Sequence, residues 1–486
     1  MNSIRRMAIK GFRNSLVIIL FLGFLNITVA STPYTQSVNV KTGSDKSFEE
    51  FLNESGPFCV IKEDLIQRDS VLYIPDNVTL AFKGGRLLNA NLVLGENVTI
   101  KNGDIQIAEN GFIKLSNNCR VKNCSFTNVS YCRVGFGDLF AESSKDIVIS
   151  NCTFAPQKRQ TKGKCSSIDL RKCEGFLVEK VKSAYTEGEN IIIYEGRGTV
   201  RKCECTGGWS GIGTSIYGTS VKNPKPGDPD ARIIIKNNKV RNALAAGITI
   251  NNYNTVCEGN TVLFENYTVS GPGIRLGHVH APANNCTVTK NTIRWINCKP
   301  SGVSTSNRGI SLDAGNNNII IKNTIENVPE GIASSVSNKT GTQILNNMII
   351  GATANGISIY EDNDFANHCI VKGNDIRMQS GTGVWVRNCN AEIVKNKISF
   401  PVEKNPDIVS NFAYVGIRIE DNSQIKTDIT DNIVKYSRVP VKAVFKGKEV
   451  LIDGNRFQTE EESSYSVGEK TVLKDNGNRI RLSRRH

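Results

Sequence analysis

The chain has 486 residues, 39% of them hydrophobic, 22% charged and 7% aromatic, with a formal charge of +14. Those fractions exclude a mainly disordered chain, and the 42 glycines follow no collagen period. The positive excess invites a nucleic-acid reading, but its distribution argues against one. Arg5, Arg6, Lys10 and Arg13 at one end, and Arg479, Arg481, Arg484 and Arg485 at the other, carry eight of the fourteen charges with no acid among them. The stretch between is only mildly basic.

The first thirty residues read as an export signal. A basic start leads into the apolar run Leu16 to Leu25, and the small residues Thr28 and Ala30 set a cleavage point after Ala30. That run is well short of the roughly 20 residues that span a bilayer. No later stretch approaches that length, so no transmembrane segment is expected. Residues 1–30 are therefore expected to be a signal peptide, and the mature protein periplasmic or secreted, with no nucleic-acid partner. Residues 31–70 are assigned to an N-terminal cap. Within it Ser47-Phe-Glu-Glu50 has the capping-box pattern, and Phe48, Phe51 and Leu52 would lay a short helix over the first coil.

From there the chain repeats itself. A Gly followed by alternating apolar residues recurs as GITI (247–250), GIRL (273–276), GISL (309–312), GIAS (331–334), GISI (356–359), GVWV (383–386) and GIRI (416–419). Between these copies runs a second element, an Asn with a β-branched or aliphatic residue, as in NNKV (237–240), KNTI (290–293), KNTI (322–325) and GNDI (373–376). Successive GIxI copies are 26, 36, 22, 25, 27 and 33 residues apart. Weaker copies reach back through NCTF (151–154), NCSF (123–126) and IPDNVTLAF (74–82).

Short period-two strands between Asn and Gly turns exclude a helical solenoid. No single repeat can bury its own apolar face, so successive repeats must stack at the ~4.8 Å spacing of paired strands. The fold class expected is all-β, a parallel β-helix solenoid over residues 71–458, with 459–486 as C-terminal cap and basic tail. Asn at one turn of each coil would tolerate left-handed backbone and bond the Asn above and below. The 14 cysteines fall largely at equivalent repeat positions, where free thiols stack inside as small hydrophobes.

The recurring Asn and GIxI elements, with the opening IPDNVTLAFKGGRL, resemble the right-handed parallel β-helix proteins of the pectate-lyase-like superfamily over roughly 80% of the chain. That resemblance implies a right-handed solenoid and a polysaccharide groove floored by the GIxI strands. With the isoleucines pointing inward, the outward column contains Asn251, Arg275 with nearby His278, Asp313, Tyr360, Trp385 with Arg387, and Arg418 with Glu420. Aromatic faces and Arg forks of this kind suit an acidic sugar chain. Three connections running from the turn Asn to the next GIxI Gly are long. These are Asn260 to Gly273, Asn291 to Gly309 and Asn396 to Gly416, and they would wall a cleft together with the insertion Tyr217 to Ala231.

Coil spacing then limits the chemistry. Asp169 lies about 24 Å and Glu420 about 19 Å from Asp313, too far for a glycosidase pair, while Glu361 or Asp362 would lie about 10 Å away. β-Elimination from a uronate asks for a base and a group that neutralises the carboxylate. Arg275, His278, Arg308, Asp313 and Tyr360 are the catalytic candidates. Asn251, Glu361, Trp385, Arg387, Arg418 and Glu420 are the substrate-binding candidates. A polysaccharide lyase is the first expectation. A glycoside hydrolase or a non-catalytic glycan-binding or structural β-helix is the alternative. No cofactor is specified by the residues; calcium is the one the elimination chemistry allows, although no acidic-turn motif for it is intact.

Overall fold

A computed structural model describes residues 47–482, except 69–70, 129–136, 156–165, 185–187, 217, 219–227, 266–270, 279, 297–306, 336–340, 361–367, 405–413, 421–425, 446–448, 462–463 and 468–471. The chain divides into compact units at 1–42 and 43–486, and every described residue belongs to the second. The expected signal peptide, Glu361, Asp362, most of the 217–231 insertion and the centres of the three long connections lie outside the described residues.

Each coil contributes one strand to each of three parallel sheets. The first coil supplies Phe58–Ile61 to the first sheet, Leu65–Ile66 to the second and Leu72–Ile74 to the third. These pair in parallel with the next coil, Phe58 beside Thr79, Leu65 beside Leu87 and Leu72 beside Leu92. The first sheet has 17 strands and the third 16. This is the right-handed parallel β-helix expected from the repeat, and the hand agrees with the strong preference of parallel crossovers. Pairing starts at Phe58 and runs to Leu482, so the coils extend beyond 71–458 at both ends.

The helix α1 (Phe48–Glu54) covers the first coil. Ser47 caps it through both arms of a capping box, with Glu50 N–H donating to Ser47 Oγ and Ser47 N–H donating to the Glu50 carboxylate. Phe48 is fully buried beneath it.

Packing accounts for the GIxI pattern. The isoleucines, such as Ile310 and Ile357, are fully buried, and the third-sheet strand enters too close to the core for a side chain at the Gly. A Cβ on Gly309 would sit 2.4 Å from Ile325 Cγ2 and 2.5 Å from Gly331 O, and Gly356 and Gly383 meet Ile376 and Ile398 in the same way. The aliphatic residue of the Asn element thus fills the space that the Gly leaves. Gly309→Ala is expected to cost about 1–3 kcal/mol through overpacking, seen as a lower urea midpoint with far-UV circular dichroism unchanged in water.

The Asn turn differs from its expected form. Left-handed backbone and the buried ladder belong to two successive residues rather than one. Positive φ falls on Asn237, Gly259, Lys290, Lys322, Asn346, Gly373 and Lys395. The residue that follows each, from Asn238 through Asn260, Asn291, Asn323, Asn347, Asn374 and Asn396, is buried. In each link Oδ1 accepts from the backbone N–H and the Nδ2 of the Asn one coil earlier, as Asn323 does from Asn291 at 2.9 Å. Nδ2 of Asn323 donates to Val288 O and Asn347 Oδ1, both at 2.9 Å. The amide is thereby saturated.

Before Asn238 the register puts Cys124, Cys152, Val181 and Cys203 at the ladder position. All eleven cysteines among the described residues are buried free thiols. Burial pushes the Cys173 thiol up to about 11 and the Cys203 thiol up to about 12, so both stay protonated and inert.

Candidate functional site

The outward residues of the third sheet stack in register, Thr249 beside Arg275, Arg275 beside Ser311, Ser311 beside Ala333, Ala333 beside Ser358, Ser358 beside Trp385, and Trp385 beside Arg418. The expected site residues divide into two groups along this face, separated by the small side chains of Ala333 and Ser358.

The first group is an ion-pair and hydrogen-bond network on four neighbouring strands. Arg275 Nε donates to Asp313 Oδ2 at 2.7 Å, and Ser311 donates to the other oxygen of the same carboxylate. Arg308 donates through Nη1 to Ser311 Oγ at 3.3 Å and through Nε to Glu330 Oε2 at 2.9 Å. Asn355 Nδ2 closes the network on Glu330 Oε1 at 2.7 Å. Exposure grades through it, from 34% for the Arg275 side chain to 23% for Arg308 and 7% for Glu330. Glu330 is the most buried member, while Asp313, at 20%, is about as open as Arg308. Asp313 is therefore a hydrogen-bonded residue that holds Arg275.

His278 stands beside this network. Gly277, at φ 71°, turns the chain out of the strand, and His278 then makes a tight bridge to Ala281. Its ring is half-buried, 5.3 Å from that of His280. Burial first, and then the charges of Arg275 and His280, hold its pKa below the usual imidazole value, while Asp313 pulls the other way. At neutral pH the ring is neutral and able to accept a proton.

The second group is an aromatic platform. Tyr360 and Trp385 lie 6.3 Å apart between ring centroids. Arg387 packs over Tyr360 at 4.7 Å and Arg418 over Trp385 at 4.9 Å, and Arg418 also pairs with Glu420. Tyr360, two strands beyond Ser311, is about 10 Å along the axis from Ser311 and Arg308 and is in ring contact with Trp385.

Asn251 sits one coil before Arg275, and its buried Oδ1 has no hydrogen-bond partner among the described residues. Glu330 was not anticipated. The outward column was read from the residues between and after the isoleucines, and Glu330 stands ahead of the Gly. Reading the position that precedes each GIxI Gly would have placed Arg308 beside Glu330. Calcium finds no fitting donor set here. Asp313 and Glu330 are each committed to an arginine, and no group of three His, Cys, Asp or Glu among the described residues could hold a metal ion.

The sequence model of the family described as right handed beta helix region matches residues 226–398. No curated protein matches the chain. Among solved structures, the tailspike protein of E. coli bacteriophage HK620 in complex with pentasaccharide is similar, with 13% identity, a TM-score of 0.53, and coverage of 74% of this chain and 71% of that one. A point mutant of that tailspike, also in complex with pentasaccharide, gives 13% identity and a TM-score of 0.56, covering 78% and 76%. The chain is a right-handed parallel β-helix protein, and at this identity the likeness concerns the fold alone.

Proposed function

We propose that this chain is an exported polysaccharide-active β-helix that binds an acidic glycan along the outer face of its third sheet and cleaves it by β-elimination. The observation that carries the reading is the pair of part-exposed guanidinium groups, Arg275 and Arg308, held by Asp313 and Glu330 and set beside a neutral His278. Arg275 binds the uronate carboxylate as a fork and stabilises the negative charge that develops on it. His278 accepts the C5 proton, the C4–O bond breaks, a C4–C5 double bond forms, and the departing glycan oxygen takes up a proton. Asp313 and Glu330 position the arginines. The tailspike relatives, whose structures hold a pentasaccharide, support a glycan as ligand by analogy of fold.

Incubation with a panel of uronate polysaccharides tests this. Elimination yields unsaturated ends that absorb in the ultraviolet, and absence of any product from every member refutes the enzyme reading. Because the pKa of His278 is lowered, the neutral base persists to lower pH. kcat/KM is expected to be level near neutrality and to fall only below about pH 6.5, with the acid limb lost in His278→Asn.

A hydrolytic reading has one observation in its favour. Arg308 lies 3.9 Å from Asp313 and 2.9 Å from Glu330, on neighbouring strands. Those contacts keep the two carboxyl groups within about 9 Å, inside the outer limit of an inverting pair. Burial of Glu330 under Arg308 counts against it. Reducing ends without ultraviolet absorbance would favour this reading.

A further inference from the structure

Two arginines of the basic C-terminal stretch, Arg479 and Arg481, do not lie on a tail. They stand on Arg479–Leu482, the last strand of the second sheet, which pairs with Arg456–Thr459. Ahead of these come Ile433–Ser437 and Lys397–Ser399, in parallel register on the same sheet. Alternation along the strands turns Ile398, Val434 and Phe457 into the core, where all three are buried. The residues on either side of them face out. Register sorts these into two columns, Lys397, Ile433, Arg456 and Arg479 in one, and Ser399, Lys435, Gln458 and Arg481 in the other. All five cations are exposed, and none makes an ion pair among the described residues. Neither column contains an acid.

The surroundings do not cancel this charge. On the preceding strand Asp375, opposite Lys397, is paired with Arg377 at 2.8 Å. At the edge toward the third sheet, Glu460 is held by Lys404 and Glu461 by Arg438, which leaves Glu403 there. The other edge carries Lys395 against Asp431 and Asp453. The segments that leave these strands outside the described residues hold Asp407, within 405–413, and Arg484 and Arg485, beyond Leu482. Their own balance is positive, so the face keeps its sign with them included. Two aliphatic side chains border the same face. Val402, just past the strand Lys397–Ser399, is 71% exposed, and Ile480, between the two arginines, is 49% exposed.

We propose that this end of the second sheet docks the protein on an anionic lipid surface, independently of the glycan reading above. A sheet holds its outward charges in a plane. The five cations spread over three strand spacings, about 14 Å along the axis, and over about 7 Å between the columns. A layer of lipid phosphates meets both columns at once, and each cation adds to the attraction. Val402 and Ile480 supply apolar contact at the level of the headgroups. A lipid surface fits better than a sugar chain because neither column holds an aromatic ring on which a pyranose would stack. Docking through the second sheet leaves the outer face of the third uncovered.

The test is co-sedimentation of the full chain with vesicles of phosphatidylcholine alone and of phosphatidylcholine mixed with phosphatidylglycerol. Binding to the mixed vesicles is expected, falling steeply as salt is raised, with none to phosphatidylcholine alone. Arg479→Gln combined with Arg481→Gln should weaken it about 30-fold, at about fivefold for each cation removed. Lys435→Gln combined with Arg456→Gln, on strands paired on both sides, repeats that test away from the terminal strand. Lys182→Gln combined with Lys239→Gln removes two exposed cations from the far part of the same sheet and should cost less than about threefold. Unchanged melting temperatures show that the variants fold. Equal loss from the Lys182 and Lys239 variant, equal sedimentation with both kinds of vesicle, or none with either overturns the proposal. So does a chain that ignores vesicles yet retains a soluble polyuronate through the same arginines, which would make the face a glycan site.

Discussion

Arg275→Ala is expected to lower kcat/KM on the preferred glycan by about 100-fold or more, the scale on which a single charge-stabilising donor acts in a transition state. The melting temperature should hardly move. Arg275 is about one-third exposed and its pairing with Asp313 is a surface ion pair, which contributes little to folding. Asp313 keeps Ser311 and Arg308 when Arg275 is removed, so no carboxylate is left stranded. Arg275→Lys separates charge from geometry. It retains the cation but not the planar fork, and should recover only part of the lost rate. Steady-state kinetics together with a thermal melt reads both effects. Activity of Arg275→Ala equal to wild type would move the chemistry away from this network.

The other large effect is on folding. Asn323→Ala removes one link from the buried ladder and leaves the Asn291 N–H and one Nδ2–H without their acceptor. It also removes the donor to Asn347 Oδ1 and Val288 O. Orphaned buried groups cost about 1–3 kcal/mol each, so a loss of about 2–6 kcal/mol is expected. Since coils contact mainly their neighbours, the loss should be local before it is global. Amide exchange should therefore accelerate first in the coils around residues 291–347, with the urea midpoint falling as well. The contrasting variant is Asn346→Gly, one residue before the next link. Asn346 is exposed at φ 53°, a conformation that Gly adopts freely, and this change should be nearly neutral.

That contrast also marks how far the sequence could be read. The Asn recurrence correctly indicated a stacked turn, but one residue was asked both to adopt left-handed backbone and to form the ladder. Stretches such as Lys290-Asn291 and Lys322-Asn323 already hinted at the division, because Lys occupies the left-handed position and Asn the buried one. Only hydrogen-bond geometry across coils made it visible. The charges behaved similarly. Arg275 stood in the outward column from the repeat alone, whereas Arg308 precedes its Gly, outside that column, and pairs in register with Glu330. That each is matched by a carboxylate was not legible, because the partners come from different positions of the repeat, Asp313 after its strand and Glu330 at the start of the next.

What the sequence determined by itself was the repeat, and with it the solenoid. A period-two pattern with fixed Gly and aliphatic positions has one stable solution when no coil can bury its own face. It also determined which residues point outward, since alternation along a strand is geometric. The tertiary structure alone decided which of those residues act together. Coils lie about 4.8 Å apart in space but twenty or more residues apart in sequence, so neighbours across coils are invisible to any local pattern. The division of the face into an arginine network and an aromatic platform arises there. Residues separated along the chain become adjacent only when the coils are stacked.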